Sequence, residues 1–210
     1  MAPTVGDQQF WDERYRESER IWSGRPNAAL VREVTGLPPG RALDLGCGEG
    51  GDAVWLAARG WQVTATDISP VALGRAAAHA GQEGVADRID FQQHILGESF
   101  PAGTFDLVTA SYLHSLGDMP REEILRTAAA AVAPGGTLLI IGHAGFPDWQ
   151  QAGHHPDVRL QNAREVLAVL ELPDGGWEIQ RCEDHDTRMV RPDGVPDTRP
   201  DCTVKVRRAV

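Results

Sequence analysis

The sequence predicts an α/β fold: a doubly wound, mostly parallel sheet of seven strands with an antiparallel edge strand and helices on both faces. From about residue 41 onward, short apolar runs alternate with alanine-rich helical stretches, which is typical of parallel strands joined by crossover helices. The 210 residues, 41% hydrophobic and 24% charged, have the composition of an ordinary soluble globular protein and suffice for one sizeable core.

The first 40 residues differ from this pattern and are predicted to form two helices. Asp7–Glu19 carries an aromatic face among charged side chains, and Asn27–Val34 is a second, shorter helix. Trp22–Pro26 separates them because it contains both glycine and proline. We therefore expect a helical segment over residues 1–40, followed by one globular unit over 41–210.

The core of the globular unit is predicted to hold five parallel strands. The strands are expected at Arg41–Leu45, Gln62–Thr66, Ile89–Gln93, Phe105–Ser111 and Thr137–Gly142. The helices after Asn27–Val34 are expected at Asp52–Arg59, Val71–Ala80, Arg121–Val132 and Ala163–Leu170. Ser69 and Asn162 are helix N-cap candidates, the latter in a variant capping box.

Two further strands are predicted near the C-terminus, at Trp177–Glu183 and Thr203–Arg208. We expect them to form an antiparallel pair at the sheet edge. The stretch between them is polar and rich in proline and aspartate, so we expect a mobile connection.

Charge and composition limit the partners. Thirty acidic residues against twenty basic ones give a net charge of -10, which repels phosphate backbones and anionic headgroups. We therefore expect no nucleic acid as a partner. We also expect no membrane partner, because in addition no apolar run is long enough to span a bilayer. The polar, acidic N-terminus and three cysteines without disulfide or metal spacing predict a cytoplasmic protein.

A glycine-rich loop follows the first predicted strand. Gly46, Gly48 and Gly51 have the G-x-G-x-x-G spacing, which lets the backbone turn tightly and approach a ligand. Asp67 ends the next strand, close to the spacing at which a carboxylate reaches ribose hydroxyls in Rossmann-like folds. Together these features predict an adenosine-containing ligand across the carboxyl ends of the first two strands.

The charge beside the loop indicates which adenosine ligand binds. A dinucleotide would place its pyrophosphate near Asp44 and Glu49, where carboxylates would repel it. A ligand with an ammonium group and a sulfonium would instead be attracted. The sequence therefore predicts S-adenosylmethionine as the cofactor.

Four motifs lie between about Arg41 and Gly142, namely Asp44–Gly50, Asp67–Ser69, Phe105–Val108 and Ala133–Leu138. In their order and spacing they resemble the class I S-adenosylmethionine-dependent methyltransferases. The short aromatic N-terminal segment before a minimal core loosely resembles the tellurite-resistance and thiol-methylating kinds of these enzymes. The resemblance implies a methyltransferase acting on a small molecule, with an O, N, S or chalcogen nucleophile as methyl acceptor.

The resemblance also implies roles for individual residues. Gly46, Cys47 and Gly48 would line the methionine part through their backbone, and Asp44 would orient its amino group. The remaining implied contacts are Asp67 on the ribose hydroxyls, Ile68 on adenine and Ser111 near the amino-acid part.

The adenine end departs from the family pattern. The family usually has an aspartate after the third strand to receive the adenine amino group, but this chain has His94 and Ile95 there. His94 or a backbone carbonyl must then make this contact, so we expect weaker adenine recognition. The segment before residue 40 would fold across the cofactor as a lid, with Trp22 near the methyl group.

Candidate acceptor-side residues follow the fourth and fifth strands. His114 and His143 are the two candidate bases, because imidazole titrates near neutral pH and strand ends of open α/β sheets hold ligands. Each could equally be a polar loop residue without a catalytic role. We expect no metal, since the gaps between His143, His154 and His155 match no ligand motif.

Two alternatives remain open. A nucleotide-dependent oxidoreductase would share the glycine spacing, but it must tolerate Asp44 and find room for a substrate domain. A non-catalytic module that binds S-adenosylmethionine would fit the same motifs without turnover. We expect a monomer or a homodimer.

Overall fold

The computed structural model describes residues 5–115, 119–147 and 160–210. Seven strands form one sheet in the order β3-β2-β1-β4-β5-β7-β6. They are β1 (Arg41–Leu45), β2 (Gln62–Asp67), β3 (Ile89–Gln93), β4 (Phe105–Ser111), β5 (Val132–His143), β6 (Trp177–Val190) and β7 (Pro196–Arg208). Strands β1 to β5 are parallel, and β7 runs antiparallel to both β5 and β6. The predicted fold class is confirmed, and the antiparallel β6–β7 pair lies at the sheet edge with β6 outermost.

Six α-helices of the described ranges accompany the sheet. They are α1 (Val5–Arg16), α2 (Ala28–Val34), α3 (Gly51–Ala57), α4 (Pro70–Gln82), α5 (Arg121–Ala130) and α6 (Ala163–Val169). Side chains of α5 and α6 belong to one buried apolar cluster, and those of α2, α3 and α4 belong to another on the opposite face. Ser69 caps α4, and Asn162 with Glu165 forms a complete capping box on α6, as their sequence positions predict. No helix in the described ranges is long and apolar enough to cross a membrane.

The chain reverses its direction of winding between β1 and β4, which lie side by side at the centre of the sheet. In open α/β sheets, ligands bind at the carboxyl ends of the strands beside such a switch point. The loop after β1, the end of β2 and the ends of β4 and β5 therefore meet at one place.

The prediction of a mobile connection between the last two strands is wrong. Strands β6 and β7 continue through the polar stretch as a paired ladder, and only residues 191–195 connect them. Arg191 closes this turn, because its backbone N–H donates to Val195 and its guanidinium pairs with Asp197. The stretch has no apolar alternation, so its strand character depends on cross-strand pairing that sequence periodicity does not reveal.

Candidate active site

The glycine loop makes a tight turn between β1 and α3. The backbone N–H groups of Gly46 and Cys47 both donate to the carbonyl of Thr66, at 2.8 and 2.9 Å, which ties the loop to β2. Gly46 has a φ of +69°, and a Cβ there would lie 2.8 Å from Leu113 Cδ1. Glycine is therefore favoured at this position chiefly for its conformation, because the Leu113 methyl group could shift to make room for a Cβ.

Asp67 holds the loop from the end of β2. Its carboxylate accepts hydrogen bonds from the backbone N–H of Gly48 and of Ser69, both at 2.9 Å. Burial raises the pKa of this carboxyl group, while the hydrogen bonds from Ser69 and Gly48 oppose the rise. Asp67 thus fixes the shape of the loop and also lines the cavity beside it.

Asp44 is the most unusual charge of the site. Its side chain is only 2% exposed; Oδ1 accepts a hydrogen bond from Thr109 at 3.0 Å, and Oδ2 has no partner among the described residues. Burial, followed by the nearby charge of Asp52, raises the pKa of Asp44 to about 8. A buried carboxylate oxygen without a partner is costly unless a donor arrives from a ligand. This unpartnered acceptor oxygen therefore fits the ammonium group of the amino-acid part of S-adenosylmethionine.

Glu49 has a different role from the one predicted. Its carboxylate accepts from the backbone N–H of Trp22 at 2.9 Å and of Ile21, and it pairs with Arg75 at 2.8 Å. These partners neutralise it, so the expectation that Glu49 helps attract the cation is wrong. Of the two carboxylates predicted to attract the cation, Asp44 is the one with an unpartnered oxygen among the described residues.

The segment before β1 lies against the glycine loop and the start of α4. Asp12 accepts a hydrogen bond from the hydroxyl of Ser69, and Asp52 accepts from the backbone and side-chain N–H groups of Asn27. Trp22 donates its indole N–H to Tyr15 at 3.3 Å, beside Gly48. Trp22 lines the cavity although 49% of its surface is exposed.

The adenine end contains the residues named from the sequence. Ile68, His94 and Ile95 line the cavity together with Cys47 and Ser111. Both ring nitrogens of His94 already have side-chain partners, Ser99 Oγ at 2.9 Å and Gln92 Oε1 at 3.0 Å. This arrangement favours a backbone carbonyl, and not the His94 ring, for the adenine amino group.

Cys47 is enclosed within the loop. Burial raises the pKa of its thiol well above the ordinary value, and the neighbouring Asp67 adds to the effect. The thiol therefore stays protonated and acts as a packed small residue.

His114 and His143 meet at the ends of β4 and β5, with their rings stacked at a centroid distance of 5.2 Å. Nε2 of His114 accepts a hydrogen bond from the backbone N–H of His143 at 3.2 Å. Burial, helped by the charge of Arg121, lowers the pKa of His114 to about 3. His114 is thus neutral near neutral pH and its Nε2 is occupied, which favours His143 over His114 as the candidate base.

His143 has an acidic partner from β7. Its Nδ1 lies 2.9 Å from Oδ1 of Asp201, which is fully buried. Asp201 also accepts from Arg199 at 3.0 Å and from the hydroxyl of Tyr112 at 2.8 Å. Hydrogen bonds from His143, Arg199 and Thr187 outweigh burial and hold the pKa of Asp201 below its ordinary value.

Tyr112 is held in an unusual backbone conformation, with a φ of +53°. Such a conformation in a residue with a side chain costs on the order of 1 kcal/mol and persists where neighbours enforce it. Here its backbone N–H donates to Ile141 at 2.7 Å, and its hydroxyl is bonded to Asp201. The strain places the phenol ring against His143, at a centroid distance of 4.6 Å.

One cavity of about 810 Å³ extends from the glycine loop to the ends of β4 and β5, and its volume is within the range of small-molecule sites. Every sequence-predicted site residue lines it, namely Trp22, Asp44, Gly46, Cys47, Gly48, Asp67, Ile68, His94, Ile95, Ser111, His114 and His143. Sequence reasoning missed Asp201 and Arg199, together with Tyr112, Tyr15 and Asp52. Tyr112 could have been found from its place next to Ser111, whereas Asp201 and Arg199 depend on the extended β7.

Within the described ranges, no group of three or more His, Cys, Asp or Glu side chains has the geometry of a metal site. His154 and His155 lie outside the described residues.

The strand order, the glycine loop tied to an acidic residue after β2, and the unpartnered Asp44 together define a class I S-adenosylmethionine-dependent methyltransferase. The family model for a methyltransferase domain matches residues 42–136. The 27-O-demethylrifamycin SV methyltransferase of Amycolatopsis mediterranei is 34% identical over 196 residues, covering 84% of this chain and 71% of that protein. The chain belongs to this methyltransferase family, whose cofactor is S-adenosylmethionine.

Two solved structures show how far the likeness extends. A structure titled for conversion of a disulfide bond into a thioacetal group during echinomycin biosynthesis has a TM-score of 0.73 and 26% identity, covering 96% of this chain and 91% of the other. The N-methyltransferase NodS of Bradyrhizobium japonicum, in complex with S-adenosyl-L-homocysteine, has a TM-score of 0.70 and 19% identity, covering 96% and 98%. The second likeness shows the fold alone. The chain spans only about a third of the length of two further curated methyltransferases that it matches, one of them named for ribosomal RNA.

Proposed function

We propose that this methyltransferase acts on a small molecule bound in the cavity between the glycine loop and the ends of β4 and β5. The observation that carries the proposal is that Asp44 and His143 both line one cavity of about 810 Å³. Such a volume suits a cofactor and a small acceptor together, and not a macromolecule. The net charge of -10 also disfavours a nucleic-acid acceptor, despite the ribosomal RNA relative. The rifamycin relative, which is named for a small molecule, supports the same choice.

The cofactor would be held by residues of β1, β2 and the loop between β1 and α3. Asp44 would accept the ammonium group, Asp67 the ribose hydroxyls, and the backbone of Gly46 to Gly48 would surround the methionine part. Ile68 and Ile95 would pack on adenine. When bound, S-adenosylmethionine supplies an electrophilic methyl group, whose carbon–sulfur bond breaks with its electron pair left on sulfur.

The acceptor would lie at the other end of the cavity, against His143 and Tyr112. Methyl transfer is a displacement at the methyl carbon. It mainly requires that the acceptor atom be aligned with the methyl group and that water be excluded. The segment of residues 1–40 would act as a lid over the unit of residues 41–210, because Trp22 lines the cavity and Glu49 anchors that segment to the glycine loop.

We also propose that the protein works in the cytoplasm, as a monomer or a homodimer. The three free cysteines suit a reducing compartment.

Calorimetry and product detection together test the proposal. S-adenosylmethionine and its demethylated product should bind with about micromolar affinity, as is common for such ligands, while NAD should not bind. Mass spectrometry of a panel of small hydroxyl, amine and thiol acceptors should then show a gain of one methyl group and release of S-adenosylhomocysteine. An enzyme that binds the cofactor but methylates no member of the panel, or methylates only RNA, would contradict the proposal.

A further inference from the structure

We propose that the methyl acceptor is protic, with a hydroxyl or thiol group, and that Nε2 of His143 accepts its proton while Asp201 acts as a positioning residue. This inference rests on the proposed function, since it names the class of acceptor for the same cavity. Two observations support it: the hydrogen bond between His143 and Asp201, and the position of His143 on the cavity wall.

The tautomer of His143 follows from its partner. Asp201 is ionised and fully buried, so its oxygens can only accept hydrogen bonds. Nδ1 of His143, 2.9 Å from Oδ1, must therefore carry the ring proton. In a neutral imidazole the other nitrogen is then the acceptor, so Nε2 has the lone pair that a base needs.

Arg199 balances the negative charge of Asp201. It donates to both oxygens of Asp201, from Nε at 3.0 Å and from Nη2 at 3.3 Å. Because the guanidinium already balances the carboxylate, the cluster is neutral when His143 is neutral. His143 can then gain a proton during the reaction, when its imidazolium would face the same carboxylate.

The other groups around His143 are compatible with this role. Tyr112 donates its hydroxyl to Asp201, and burial raises the pKa of that hydroxyl, so the phenol stays neutral. His114, stacked on His143, is neutral as well, and therefore adds no positive charge beside the base. Among the described residues, the titratable and charged groups that face this cluster include Tyr112 and His114 after β4, Arg121 at the start of α5, and Arg199 and Asp201 on β7. His185 on β6 lies directly opposite Asp201, and its Nε2 is bonded to the hydroxyl of Thr203.

The step balances without any further reactant. The acceptor's O–H or S–H bond breaks, its proton goes to Nε2 of His143, and the oxygen or sulfur forms the bond to the methyl carbon. The imidazolium later releases the proton to water. An acceptor without such a proton, for example a thioether, has no use for His143.

The tautomer can be tested on the free protein. Long-range ¹H–¹⁵N correlation spectra should show that the His143 ring carries its proton on Nδ1, and this signal should change in Asp201→Asn. The matched control is Asp193→Asn, which removes an exposed carboxylate from the turn of the same hairpin. A His143 ring protonated on Nε2 in the unsubstituted protein would overturn the inference.

The methylation rates of two sets of acceptors test the proposed acceptor class. Phenol and alkanethiols, which keep their proton at neutral pH, serve as protic acceptors, and dimethyl sulfide and pyridine as acceptors without a proton. His143→Gln should lower the methylation rate of the protic set by about 10² to 10⁴ at neutral pH, the usual effect of losing a general base. This deficit should shrink as rising pH ionises the acceptor in solution. Asp201→Asn should lower the rate at least tenfold, and Asp193→Asn should leave it unchanged.

The outcomes separate the two proposals. Methylation of dimethyl sulfide or pyridine alone, or equal rates for His143→Gln and the unsubstituted enzyme on phenol, overturns the protic acceptor while leaving the methyltransferase intact. Binding of S-adenosylmethionine without methylation of either set overturns the proposed function, and this inference with it. If Asp201→Asn does not fold, His143→Gln decides the question, because its side chain is partly exposed.

Discussion

Asp44 gives the cofactor site a pH dependence that can be measured directly. Its pKa of about 8 in the free protein means that the carboxyl group is mostly protonated at neutral pH. An ammonium group at its unpartnered Oδ2 would favour the ionised form, so cofactor binding should expel a proton. Affinity should therefore rise with pH below the pKa.

The size of the effect follows from the fraction of Asp44 that is ionised. With a pKa of about 8, this fraction rises by about thirtyfold from pH 5.5 to pH 7, so affinity should rise by up to the same factor. Asp44→Asn should abolish the slope and weaken binding by about 10- to 100-fold, the usual effect of losing a hydrogen bond to a charged group.

The same substitution should stabilise the free protein. When folding raises the pKa of an aspartate, the folded state loses stability as the pH rises above the ordinary pKa of aspartate. The loss grows with pH until the pH reaches the raised pKa. At pH 7 a pKa of about 8 corresponds to a penalty of up to about 4 kcal/mol, which asparagine would not incur. Asp44→Asn should thus raise the melting temperature while weakening cofactor binding.

Isothermal titration calorimetry in buffers of different ionisation enthalpy measures both the affinity and the number of protons released. The control is Asp87→Asn, which removes an exposed carboxylate at the turn before β3. A flat affinity between about pH 5.5 and 7 with no proton release, or an Asp44→Asn variant that binds like the control, would refute the reasoning.

Three further predictions follow from the same contacts. Asp67→Ala should reduce cofactor affinity at least about 100-fold in calorimetry, because it removes two charged hydrogen bonds that shape the loop; an affinity equal to that of Asp87→Asn would contradict this. Glu49→Ala should lower the free energy of unfolding by about 2 kcal/mol and speed tryptic cleavage before residue 21, because the lid segment loses its anchor; cleavage at the rate seen for the exposed Glu83→Ala would contradict this. His94→Ala should change affinity by less than about threefold, since both ring nitrogens are already occupied by neighbouring side chains; a loss above about tenfold would show that the ring binds adenine.

The parallel part of the fold was predictable because its signals are local. Strands β1, β3 and β4 begin and end at the predicted residues, since each is a short segment with apolar residues that is bounded by turn or helix-capping signals. Asp44 and Asp67 were predictable as a pair for a related reason. Both lie at fixed offsets from the glycine turn, so their positions in the site follow from sequence spacing.

The acceptor side depends on long-range pairing that spacing does not reveal. Asp201 reaches His143 because β5 and β7 are antiparallel in a register that places these residues opposite each other, 58 positions apart in sequence. The polar half of β7 has no apolar period, so neither its strand character nor its register was visible in the sequence. Glu49 was misassigned for a similar reason, because its partners come from the segment before β1.

A crystal structure with S-adenosylhomocysteine bound tests the central claim most directly. The account predicts the homocysteine amino group against Asp44, the ribose hydroxyls on Asp67, and the sulfur directed toward the part of the cavity that His143 lines. A ligand bound in the reverse direction, or one whose amino group lies away from Asp44, would contradict it.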